Sequence, residues 1–131
     1  LRTMRFKLVE GRWIESTDRE GTPLVIVISE SFGRRLFPGR SPVGQSILTG
    51  PTAIRHEIVG VVADTRSGLL TQPPPDELFF ALDQRQFAVM QAVVRGHQGQ
   101  IDGLNDALRD ALRAIDPTMA WAQFVTLTRL I

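Results

Sequence analysis

The sequence has no cysteine, and this absence excludes both a disulfide framework and a thiolate metal site. It also has no excess of charge, because 15 lysines and arginines oppose 14 aspartates and glutamates, for a formal net charge of +1. A nucleic-acid-binding protein normally needs a strongly basic surface, so that class is disfavoured. The uninterrupted apolar run Leu24–Ile28 is far shorter than the roughly 20 residues that a membrane-spanning helix requires, so we expect the chain on its own to be soluble.

The length and composition are typical of a single domain, with 131 residues of which 43% are hydrophobic. The segment 65–75 carries Gly68 and the consecutive prolines Pro73, Pro74 and Pro75, which favour an extended connector. We therefore predict a β-rich lobe with one short helix at residues 1–72 and a second lobe at residues 73–131, as the halves of one domain.

A buried strand and a short helix are predicted next to each other in the first lobe. The segment Leu24–Ile28 is apolar at every position, which is typical of a strand buried on both faces. The hydroxyl of Ser29 is well placed to accept the free N–H groups of a helix that runs to Phe37. Phe32, Leu36 and Phe37 would form the buried stripe of this helix.

Further strands are predicted on either side of this pair. Phe6, Leu8 and Val9 indicate a short strand near the start of the chain. The segments Gln45–Thr49 and Glu57–Ala63 predict a hairpin, in which Gly60 marks a bulge or a close approach of two backbones.

The second lobe is predicted to contain a βαβ crossover. Strand candidates lie at Leu78–Leu82, at residues 88–94 and at Ala120–Thr126. Between the last two, apolar residues recur every three or four positions, which predicts an amphipathic helix. These residues are Ile101, Leu104, Leu108, Leu112 and Ile115. The sequence thus predicts an α+β fold, with a β-rich lobe and an open-faced sheet-and-helix lobe.

Few side chains suggest catalysis or metal binding. His56 and His97 lack any accompanying ligand motif, and we interpret both as surface polar residues. Asp64, Asp76 and Glu77 bracket the connector and could meet as an acid and base pair, but aspartates at strand ends usually form turns, and no nucleophile accompanies them. We expect no catalytic residue, no metal site and no cofactor.

Two groups of residues are candidate contacts for a partner. Arg34, Arg35 and Arg40 cluster around the end of the predicted helix, where they could steer an acidic partner or simply form a solvated helix face. Leu69 and Leu70 lie in the connector, where they could contact another chain or tuck beneath their own lobe.

The stretch SESFGRRLFPGRSPVGQSI, followed closely by HEIVGVVAD, resembles the extracytoplasmic core domain of MacB-like and FtsX-like ABC transporter permeases. The similarity extends upstream through LRTMRFKLVEGRWIESTD and downstream through RAIDPTMAWAQFVTLTRLI. It implies a fragment of a larger two-lobed periplasmic domain, at the periplasmic face of the bacterial inner membrane. The resemblance also implies a transport protein and not an enzyme, with ATP hydrolysed by a separate subunit or domain.

The function implied by the resemblance is to relay conformational change and to dock a partner or cargo during export or lipoprotein release. The implied partners are another permease copy, a periplasmic adaptor or a lipoprotein. The alternative is a periplasmic module that binds a small ligand, for which we would expect an enclosed pocket with a few convergent polar groups.

The chain begins with Leu1 and lacks the pattern of a signal peptide, so we interpret it as a domain excised from a longer protein. In the resembled family the matching half of the open sheet precedes this segment. If that half is missing, the second lobe has an unprotected strand edge or an uncovered apolar face, and we expect that copies could pair through it as a homodimer that is an artefact of the truncation.

Overall fold

The computed structural model describes residues 3–65, 74–85, 93–96 and 101–117. The chain divides into two compact units, residues 1–92 and residues 93–131. The described elements are a mixed sheet and two α-helices, which confirms the predicted α+β class.

The first unit is built on a five-stranded sheet. Its strands are β1 (Leu8–Gly11), β2 (Val25–Ser29), β3 (Ser46–Thr49), β4 (Ile54–Val62) and β5 (Leu78–Phe80). The helix α1 (Glu30–Leu36) follows β2 directly, and a short 3-10 helix, Leu82–Gln84, follows β5. The second unit contains the helix α2 (Ile101–Ile115), as the apolar spacing predicts.

Strand β4 is the centre of the sheet. It pairs in parallel with β2, which in turn pairs with β5 in antiparallel register. Strands β1 and β3 both pair with β4 in antiparallel register, β3 along its first residues and β1 along its last. The β3–β4 pairing confirms the predicted hairpin.

The core lies on both faces of β2, as the continuous apolar run predicts, and every residue of this strand is buried. Val25 and Val27 pack into one hydrophobic cluster, and Ile26 and Ile28 pack into another on the opposite face. Because neighbouring strand residues point to opposite faces, one strand supplies both clusters.

The N-terminus of α1 differs from the prediction. The Ser29 side chain makes no capping bond and instead accepts the backbone N–H of Glu77 at 3.2 Å. The N–H of Ser31 donates to Asp64 Oδ1 at 2.8 Å, so a carboxylate from the end of β4 caps the helix. Ser29 therefore occupies the predicted N-cap position, but the predicted capping bond from its hydroxyl is wrong, because Glu77, just before β5, uses that hydroxyl.

The buried stripe of α1 is also narrower than predicted. Phe37 is buried and Phe32 is partly buried against the same cluster, whereas Leu36 is 41% exposed. The helix is only seven residues long, so its buried face accommodates few side chains.

Strand β5 lies beyond the boundary proposed at residues 72 and 73, yet it pairs with β2 in the sheet of the first unit. The segment 66–73, most of the predicted strand at 88–94, and the predicted strand Ala120–Thr126 lie outside the described residues. The division at 72 and 73 and the βαβ crossover therefore stay predictions.

Candidate functional site

An open groove of about 470 Å³ lies between β1 and α1 in the first unit. Its lining combines apolar residues with two carboxylates and two guanidinium groups. The lining residues are Val9, Glu10, Glu30, Arg34, Phe37, Gly39, Arg40, Ser41, Pro42 and Val61. Phe37 and Val61 are almost fully buried and form its apolar floor.

The loop after α1 contributes Gly39, Arg40, Ser41 and Pro42 to the lining of the groove. The helix ends where the N–H of Phe37 donates to Gly33 O at 2.9 Å, and Gly39 then adopts a φ of 74°, which favours glycine and turns the chain back. The loop packs tightly on the helix, since a β-carbon at Gly33 would lie 2.9 Å from Pro42 Cγ. The Ser41 hydroxyl donates to Glu10, which joins the loop to β1.

The charge of Arg34 is matched within the protein. Its guanidinium donates to Glu30 at 2.6 Å and lies 3.6 Å from Asp64. The side chain is 64% exposed, so these ion pairs add little stability. They do, however, reduce the ability of Arg34 to attract an acidic partner.

Arg35 is also paired, and it does not line the groove. Its guanidinium donates to Asp76, and this hydrogen bond raises the pKa of Arg35 above its usual value. The same group lies 5.3 Å from the centre of the Phe32 ring. Arg35 thus connects α1 to the segment that enters β5.

Arg40 differs from its two neighbours. In the part of the chain that the structure describes, no carboxylate lies within 4.0 Å of its guanidinium. This group instead lies 5.3 Å from the centre of the Phe37 ring, at the rim of the groove. Arg40 is therefore the groove cation whose charge is available to a ligand.

Of the predicted partner-contact residues, Arg34 and Arg40 both line the groove, whereas Arg35 lies away from it. Leu69 and Leu70 lie outside the described residues. Sequence reasoning missed the opposite wall, Val9 and Glu10. The sequence indicates this wall only as a predicted strand. Glu10 and Ser41 are 31 residues apart, so their contact cannot be predicted from local sequence.

His56 is buried and not a surface residue, so that prediction is wrong. It is 2% exposed, and its Nδ1 lies 3.1 Å from both Thr49 Oγ1 and the carbonyl oxygen of Ile54. Its ring makes an edge contact with Phe80, with centroids 5.3 Å apart. His97 lies outside the described residues. Within the described ranges, no group of three or more histidines, aspartates and glutamates could hold a metal ion.

The three carboxylates around the connector make separate contacts. Asp64 caps α1, Asp76 pairs with Arg35, and Glu77 Oε1 accepts the hydroxyl of Thr65 at 2.7 Å. These bonds join β4, α1 and the start of β5. The arrangement supports a structural role for this cluster.

An ion pair that the sequence did not reveal holds the loop after β1. Arg12 donates to both oxygens of Asp18, at 2.7 and 2.8 Å, and Asp18 also accepts the N–H of Glu15. Asp18 is 6% exposed, and the hydrogen bond from Arg12 lowers its pKa below the usual value. Such a bidentate pair fixes the geometry of the loop.

Neither described helix combines the length and the apolar character needed to cross a membrane.

Comparison with known proteins identifies a protein family. A family model described as MacB-like periplasmic core domain matches residues 1–114. No curated protein sequence matches the chain.

The periplasmic region of MacB from Actinobacillus actinomycetemcomitans, solved by crystallography, is 17% identical, with a TM-score of 0.48. The match covers 84% of this chain and 50% of that one, so the chain spans about half the length of that region. The family match itself covers most of the sequence. The chain belongs to the MacB-like periplasmic core domain family, whose members are non-catalytic domains of ABC transporter permeases at the periplasmic face of the bacterial inner membrane.

Proposed function

We propose that this domain docks a partner protein or cargo and relays conformational change to it during export or lipoprotein release. ATP would be hydrolysed by a separate subunit or domain of the transporter. The partner would be another permease copy, a periplasmic adaptor or a lipoprotein. The observation that carries the docking function is the open groove between β1 and α1.

The shape and lining of the groove favour a protein partner. Small-molecule sites typically enclose most of their ligand within mostly apolar walls. This groove is open to solvent, and charged side chains from α1 and β1 form its walls. A segment of another protein can cover such a surface without being enclosed.

The contacts around α1 support the relay function. Asp64 fastens the N-terminus of the helix to the end of β4, and Arg35 fastens its last turn to Asp76, just before β5. Because both ends of α1 contact segments next to the sheet strands, we expect the groove to move together with the sheet. A displacement applied to the sheet would therefore reach a bound partner without being absorbed by the helix.

Binding of a small ligand is the second candidate, and the volume of the groove favours it. About 470 Å³ falls within the roughly 300 to 1,000 Å³ typical of ligand sites. A small ligand would protect the groove in the isolated chain, whereas a docked partner would protect it only in the assembled transporter.

Single cysteines distinguish these functions, because the chain has no cysteine of its own. We would introduce Val9→Cys in the groove wall and, as a control, Leu48→Cys on β3, where the side chain is 67% exposed. Maleimide labelling would be compared in the isolated chain and in membranes, with the transporter nucleotide-free and with ADP trapped by vanadate after ATP hydrolysis. We expect the labelling rate at position 9 to change at least severalfold and that at position 48 to stay constant. Equal rates at position 9 in both states would contradict docking through this groove.

A further inference from the structure

We propose that the groove between β1 and α1 binds an extended segment of a partner protein that carries both a carboxylate and a basic side chain. The carboxylate would pair with Arg40 and the basic group with Glu10. This inference rests on the proposed docking function, and it specifies the chemistry of the partner.

The first argument is the charge that the groove leaves unmatched. Glu30 and Arg34 neutralise each other across 2.6 Å. In the described part of the chain, neither Glu10 nor Arg40 has an oppositely charged group within 4.0 Å. Among the described residues, the Glu10 carboxylate accepts the Ser41 hydroxyl, and Arg40 lies over the Phe37 ring. The groove therefore presents one anion and one cation, and the complementary ligand carries one of each.

The second argument is the chemistry of the cation. A guanidinium group can bind a carboxylate through two parallel N–H···O bonds, which fixes both position and direction. The Phe37 ring lies 5.3 Å from this guanidinium and forms the apolar floor of the groove together with Val61. Apolar side chains between the two charges of the ligand would cover this floor.

The third argument is the edge of the sheet. Among the described residues, β1 pairs only with β4, so its outer edge has no strand beside it. Val9 on this strand is 47% exposed and lines the groove. An extended segment can add to such an edge through main-chain hydrogen bonds while its side chains enter the groove. A helix or a compact ligand would leave the main-chain N–H and C=O groups of this edge unpaired.

Fluorescence anisotropy of labelled peptides on the 131-residue chain tests this proposal. The probes are a nonapeptide of valine and threonine with one glutamate and one lysine, the same peptide with the lysine replaced by glutamine, and a third with both charges replaced. We expect the first to bind most tightly and the third at least about tenfold more weakly, since charge-assisted contacts would be lost. Equal affinity of the three peptides, or no binding by any, would overturn the proposal.

Variants locate the binding site. Arg40→Glu should weaken the glutamate-bearing peptides about tenfold. Arg55→Glu is the matched control, because it makes the same charge change on β4 outside the groove, and it should have less than about a twofold effect. Glu10→Lys should weaken only the peptide that carries lysine. Circular dichroism checks each fold, and Arg40→Gln replaces any Arg40→Glu protein that does not fold.

The outcomes separate this inference from the function on which it rests. Equal effects of the variants at 40 and 55 would reject the groove as the site, and complete displacement by free glutamate would point to a small ligand instead. If docking is correct, the labelling rate at Val9→Cys in the assembled transporter still depends on ATP after either result. If that dependence is absent but the peptides still bind selectively, the docking function is rejected and the proposed peptide chemistry of the groove stands.

Discussion

Gly11 lies directly opposite Gly60 in the pairing of β1 with β4, and neither position has room for a β-carbon. A β-carbon at Gly60 would lie 2.1 Å from the carbonyl oxygen of Arg12, and one at Gly11 would lie 2.2 Å from that of Val59. Gly11 also has a φ of 74°. This close approach lets the N–H of Arg12 donate to Val59 O at 2.8 Å, and it holds β1 as the outer wall of the groove.

Replacement of Gly60 by alanine should therefore destabilise the first unit. The obstructing atoms belong to the backbone and cannot move aside like the end of a side chain. We expect the free energy of unfolding to fall by about 2 kcal/mol or more in urea titrations. Gly103→Ala is the control, because nothing lies within 4 Å of its added β-carbon and alanine favours a helix. A Gly60→Ala protein as stable as the wild type would contradict the close packing of the two backbones.

The pair Arg12–Asp18 should make stability depend on pH in the acid range. The folded-state pKa of Asp18 is lowered, mainly by the hydrogen bond from Arg12, so the unfolded chain binds a proton more readily. The contribution is present above the unfolded pKa of about 3.9 and is lost as the pH falls through the lower folded pKa. Asp18→Asn should lower the free energy of unfolding by about 2 kcal/mol at neutral pH and flatten its dependence on acid pH.

Urea titrations between neutral and acid pH measure both effects. Asp83→Asn, at an exposed site in the same unit, serves as the control and should change the free energy of unfolding at neutral pH by less than about 0.5 kcal/mol. If Asp18→Asn showed the same dependence as the wild type, Asp18 would not be the group responsible.

Loss of the Asp64 carboxylate should loosen α1. Asp64→Ala removes the acceptor of the Ser31 N–H, and we expect a loss of about 1 kcal/mol, as for other helix caps. Asp64→Asn keeps an acceptor oxygen and should retain most of this stability. Hydrogen exchange at the Ser31 amide measures the loss of this cap directly. Exchange should be faster in Asp64→Ala and should change less in Asp64→Asn. Equal protection in all three proteins would show that another group caps the helix.

His56 should act through packing. His56→Ala leaves a void beside Phe80 and removes the contact with the Thr49 hydroxyl, so we expect a loss of about 2 kcal/mol or more. The neighbouring Arg55→Ala, at an exposed position, should change stability by less than about 0.5 kcal/mol. Thermal unfolding of both variants checks this, and similar melting temperatures would contradict a core position for His56.

Local patterns in the sequence predicted several of the described elements. The apolar run of β2, the three-and-four spacing of α2 and the β3–β4 hairpin are short-range signals, and each prediction agrees with the structure. The cap of α1 could not be predicted in this way, because Asp64 lies 33 residues from Ser31 and reaches it only after β4 has paired with β2. The burial of His56 has the same origin, since Phe80 covers it from a strand at a distance in sequence.

The candidate site was predicted in part. A cluster of arginines near the end of α1 is visible in the sequence, but which of them is paired depends on Asp64, just after β4, and Asp76, just before β5. The availability of Arg40 and the opposing wall at Glu10 are consequences of tertiary structure. Residues 69 and 70 remain predicted contacts.

The most direct test of a rigid domain that relays motion is a pair of distance measurements by double electron–electron resonance in the full-length transporter in lipid. A spin label at Thr52→Cys reports the distance between copies of the domain in the proposed assembly with another permease copy. Labels at Thr52→Cys and Asp83→Cys on one copy report the distance within the domain, and both sites are exposed. We predict that trapped ATP shifts the distance between copies and leaves the distance within the domain unchanged. A distance between copies that is identical with and without ATP would contradict the relay.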